Sequence, residues 1–154
     1  MTGQKGWVQR APNLVFILVP EVASERDVVH AARVASRLAW QKGLMPIYPQ
    51  LYCYPFMTPE ELGRQLPKVS RWWLRRVSRA WIAFPGDDED WRLDSFTYEL
   101  LSANQSPHRQ TALPICALHR VGDSYLPIAM SSKEIDTLLI ENATAGMAMA
   151  GGIA

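Results

Sequence analysis

Residues Arg79 to Ala103, RAWIAFPGDDEDWRLDSFTYELLSA, decide how the rest of the chain is read. The apolar run Ala80 to Phe84 reads as a buried strand, and Pro85-Gly86 turns the chain away from it. Asp94 is a good N-cap, and Phe96, Leu100 and Ala103 then recur at helical spacing on one side. A strand followed by a loop and a helix places polar groups at the strand's carboxyl end, where open α/β sheets hold their ligands.

Working outward, Leu14 to Val19 (LVFILV) is a continuous apolar run, as expected of a strand buried on both faces of a parallel sheet, and Pro20 ends it. Ser24 with Asp27 approximates a capping box. Val28, Ala31, Ala32, Ala35, Leu38 and Ala39 form one helical face, and Gly43 supplies its stop. Leu44 to Pro49 gives a second strand and completes a βαβ unit. Thr58-Pro59-Glu60-Glu61 starts a long helix running to about Arg76, with Leu62, Leu66, Val69, Trp73 and Val77 inward and Pro67 placed to kink or divide it. Thr111 to Leu118 and Leu126 to Met130 are a fourth and a fifth strand. Ser131 or Ser132 caps a helix over Glu134 to Glu141.

The expectation is one α/β domain over residues 14–141, a mainly parallel five-stranded sheet with helices on both faces. A lead over residues 1–13 precedes it, and a Gly/Ala/Met-rich tail over residues 142–154 follows, free to fray, to pack on a neighbour or to close a site across a subunit interface. A chain of 154 residues, 48% hydrophobic, suits one core better than two. The net charge of +1 argues against a globally basic nucleic-acid binder. No run is long and apolar enough for a membrane span, and the N-terminus lacks the apolar core of a signal peptide. Two cysteines, Cys53 and Cys116, form no CxxC pair, which fits a reducing, cytoplasmic setting.

Several features admit two readings. Gln50 to Met57 (QLYCYPFM) reads as a loop whose Tyr52, Tyr54 and Phe56 either plug the core or wall a pocket for a flat ligand. Arg64, Lys68, Arg71, Arg75 and Arg79 line up opposite the apolar face of the long helix. Such a stripe is a solvated face, a subunit contact or, with Trp72, a track for phosphates. The acidic run Asp87 to Asp90 lacks calcium-loop spacing and reads as a solvated turn. Cys116 reads as a buried structural thiol. His108 and His119 are not at metal-ligand spacing, so no metal site and no cofactor are expected.

Glu99 falls about one turn inside the helix that Asp94 caps, on a face with Ser95 and Ser102. There the helix dipole favours the ionised carboxylate, which can serve as nucleophile or base. An ordinary solvated glutamate is the plainer reading.

The order of LVFILVP (Leu14 to Pro20), GLMPIYP (Gly43 to Pro49), AWIAFPG (Ala80 to Gly86) and DSFTYEL (Asp94 to Leu100) resembles the nucleoside 2-deoxyribosyltransferase-like superfamily. Pro85-Gly86 and Thr97-x-Glu99 also look faintly like the motif of lysine-decarboxylase-like nucleotide-processing proteins. Both resemblances imply a flavodoxin-like or Rossmann-like three-layer sandwich binding a nucleoside or nucleotide above the sheet's carboxyl edge. The first implies a transferase or hydrolase of the N-glycosidic bond, with Glu99 as nucleophile and Asp94 holding or protonating the base. Pro20, Glu21, Pro85, Gly86, Ser95 and Tyr98 would surround the substrate. It also implies a homo-oligomer. The alternative is a non-catalytic nucleotide-binding or assembly module on the same fold.

Overall fold

The computed structural model describes residues 11–22, 24–53, 55–85, 92–104, 113–121 and 124–153. Gly86, the acidic run 87–90, Tyr54, His108 and most of the N-terminal lead lie outside them. Five strands, β1 (Ala11–Leu18), β2 (Met45–Ile47), β3 (Val77–Ala83), β4 (Ile115–Val121) and β5 (Ser124–Ala129), form one sheet in the order β2-β1-β3-β4-β5. Adjacent pairs are parallel except β4 with β5, which is an antiparallel edge. The five helices are α1 (Glu25–Gln41), α2 (Pro49–Cys53), α3 (Pro59–Leu74), α4 (Ser95–Asn104) and α5 (Ser132–Ile153).

Alternation along the central strands builds two cores. Val15, Ile17 and Val19 of the β1 run join Trp81 and Ala83 of β3 beneath α1, whose Ala31, Ala32, Ala35 and Ala39 have side chains small enough for close approach. Phe16 and Leu18 join Ala80, Ile82 and Phe84 on the opposite face, beneath Leu101 of α4 and Ile135, Leu138 and Leu139 of α5. This is a three-layer α/β sandwich with the strand order of the flavodoxin-like sheet. Burial on both faces accounts for the uninterrupted apolar runs.

Local signals set the helix ends. The Ser24 hydroxyl accepts from the Asp27 N–H at 3.2 Å. At the other end of α1, Gly43 adopts φ 78°, its N–H bonds the Trp40 carbonyl and that of Leu44 bonds the Ala39 carbonyl. These are the two bonds of a Schellman stop. Thr58 and Glu61 form a reciprocal capping box on α3, with Pro59 in its first turn. Pro67 does not divide that helix. Ser131 caps α5, exchanging hydrogen bonds with Glu134.

The fold departs from the sequence reading in five places. Part of the presumed loop after β2 is helix α2, in which Gln50 and Cys53 are buried. Strand β3 starts at Val77, so Arg79 leaves the basic stripe. It is a half-buried strand residue whose guanidinium, with the Ser78 hydroxyl, donates to the Pro12 carbonyl where β1 is irregular against β3. On α4 the residues turned fully inward are Thr97 and Leu101, while Phe96 and Leu100 are half-buried and Ala103 is exposed. Cys116 is half-buried on the α1 side. Burial pushes its thiol pKa up while the nearby Arg79 opposes that shift. Helix α5 continues past Glu141 to Ile153.

Candidate functional site

In this strand order β1 and β3 are neighbours whose following helices cover opposite faces, so a crevice opens where their carboxyl ends part. A cavity of about 380 Å³ lies there, within the size range of small-ligand sites. Its floor is the end of β1. Leu62, Leu66 and Pro67 of α3 wall one side, and Phe96 and Thr97 of α4 the other. Gln50, Glu21, Asp94 and Thr97 bring polar groups to the cavity, and its other described lining residues are apolar.

Asp94 is held from two directions. Its Oδ1 accepts from the Thr97 N–H at 2.9 Å, which caps α4, and its Oδ2 accepts from the Glu21 N–H at 3.1 Å. Arg92 adds a second link between these loops, donating to the Val22 carbonyl at 3.3 Å. The Leu93 N–H donates to the Asn142 side chain at 2.8 Å, fixing the same segment to α5. The loop after β1 and the start of α4 are thus joined across 73 residues of sequence by one carboxylate.

Glu21 stands at the cavity rim, open to solvent on one side. Its carboxyl is raised above the usual range, first by partial burial and then by the negative charges of Asp94 and Glu25. A carboxyl shifted towards its protonated form beside an anchored carboxylate is an arrangement suited to acid–base chemistry.

The remaining sequence candidates are dispersed. Pro20 and Pro85 are buried, Ser95 is exposed, and Tyr98 packs against the core shared by α4 and α5 without lining the cavity. Glu99 faces elsewhere. Its side chain is 67% exposed and lies 3.6 Å from the Arg71 guanidinium of α3, bordering a second cavity. The helical turn of about 100° per residue gives the reason: once the cap turns Thr97 inward, a residue two places later points away.

Two polar cavity residues were not among the sequence's site candidates. Thr97, 1% exposed, enters the sequence reading only in the Thr97-x-Glu99 resemblance and is given no place on either face of α4 there. Gln50, 7% exposed, fell in the segment read as a loop. Its position just after the second strand was a usable signal, because polar residues there reach the sheet's carboxyl edge. Among the described residues no cluster of histidine, cysteine and carboxylate side chains is arranged to hold a metal ion. No helix among them is long and apolar enough to cross a membrane. Comparison of the chain with family models, curated proteins and solved structures returned no match.

Proposed function

We propose that the Glu21–Asp94 cavity binds a nucleoside or nucleotide and that its two carboxyl groups act on the N-glycosidic bond. The observation that carries this reading is the pairing itself: a carboxyl of raised pKa and an anchored carboxylate share one apolar cavity at the β1/β3 switch point. Phe16 and Phe96 offer faces for a planar base, and the Gln50 amide offers a donor and an acceptor for its edge.

In the proposed reaction Glu21 gives its proton to a ring nitrogen of the base as the carbon–nitrogen bond breaks, and the bonding pair leaves with the base. The positive charge developing on the sugar faces the Asp94 carboxylate. Water, or a second base, then bonds the anomeric carbon and its proton returns to Glu21. In this scheme Glu99 takes no part.

The test is release of free base from a panel of purine and pyrimidine nucleosides and their monophosphates, followed by chromatography. Wild type should release base from at least one member. Glu21→Gln and Asp94→Asn should lower that rate by about a hundredfold or more, and Glu99→Gln should leave it nearly unchanged. Loss in Glu99→Gln with full activity in the other two would return the nucleophile to the helix face and overturn the scheme. A second reading, a non-catalytic nucleotide-binding module, is favoured by the exposed basic residues of α3 and its C-cap, Arg64, Lys68, Arg71 and Arg75, which are placed to meet a phosphate. Calorimetric binding of panel members without any release of base would select it.

A further inference from the structure

A second cavity, about 480 Å³, lies between α3 and α4 and shares Leu18 with the first. Its chemistry is different. Leu18, Leu74, Leu100, Leu101, Leu113 and Ile115 line the interior, and among the described residues the charged side chains on it are Arg71, Arg75 and Glu99. Among the described residues these three are the polar side chains of the lining, so the aliphatic interior offers the base or sugar of a nucleoside no side-chain hydrogen-bond partner.

The charged groups favour an anion. Arg71 and Arg75 border the cavity with one carboxylate, Glu99, and the Arg71–Glu99 contact at 3.6 Å is longer than a good hydrogen bond and largely exposed. Arg75 is exposed and has no ion-pair partner among the described residues. An incoming carboxylate can therefore displace Glu99 and gain two planar donors suited to bidentate contact.

We propose that this cavity binds an amphipathic anion, a monocarboxylate on an aliphatic chain, with its head on Arg71 and Arg75 and its chain against the leucines and Ile115. The site is independent of the nucleoside reading, because neither Glu21 nor Asp94 borders it.

Calorimetric titration of the full chain with decanoate, decanol and acetate, each below its aggregation limit, tests the assignment. Decanoate should bind saturably at one site, decanol at least about tenfold more weakly, and acetate not measurably. Arg75→Gln, an exposed substitution that spares the fold, should weaken decanoate by about tenfold, and Glu99→Gln should tighten it by removing the competing carboxylate. Absence of saturable decanoate binding, decanol binding as tightly as decanoate, an unchanged affinity in Arg75→Gln or a weakened one in Glu99→Gln would each overturn the proposal.

Discussion

The fold resists the ionisation of Glu21. Because folding raises its pKa, the folded chain holds this proton more firmly than the unfolded chain does. Below the ordinary glutamate pKa both states are protonated and folding incurs no penalty. As pH rises through the raised folded value, ionising Glu21 near Asp94 and Glu25 takes stability away. Glu21→Gln should therefore melt at the wild-type temperature in acid and above it at neutral pH. A difference in Tm that shrinks as pH rises would contradict this account of the pair. Both oxygens of Asp94 take backbone N–H donors, so it orders the loops that Glu21 depends on.

At the scale of the elements, two glycines show how backbone geometry decides the sign of a substitution. A Cβ built at Gly43 or at Gly63 meets nothing within 4 Å, so neither position is sterically closed. Gly43 has φ 78° in the stop of α1, and Gly63 lies inside α3. Gly43→Ala should cost about 1 kcal/mol, and Gly63→Ala should gain up to about 1 kcal/mol, both readable by denaturant unfolding. Equal effects would mean that the left-handed turn does not set the end of α1. These caps and stops were legible in the sequence because they rest on neighbours a few residues apart: Ser24 with Asp27, Thr58 with Glu61, and Gly43 after the last apolar repeat. The rotation of α4 was not. The Asp94 cap is local, but the face that α4 turns inward follows Leu101 into a core shared with Phe16, Ile82 and Ile135, residues far away in the chain, and Thr97 rather than Glu99 meets the cavity. Helix α2 was hidden for a similar reason, since its short aromatic and proline-containing segment takes its form from packing beside α3.

For the whole molecule, the sheet could be read from the apolar runs of β1 and β3, each of which supplies both cores. The candidate site was half legible. Glu21 was named through the resemblance and Asp94 through the resemblance and as a helix cap, but their closeness follows from β1 and β3 lying side by side, a property of strand order that no single segment encodes. The same order sets the two cavities on one sheet face, one mixed in polarity and one aliphatic with arginines at its mouth. That division is the basis for assigning them different ligands. The most direct measurement is the map of backbone amide shifts in isotope-labelled protein titrated with the nucleoside panel. Saturable changes are expected at Glu21, Gln50 and Thr97, with little change at Arg71, Arg75 and Glu99. Changes confined to the Arg71–Glu99 cavity, or none with any nucleoside or nucleotide, would contradict it.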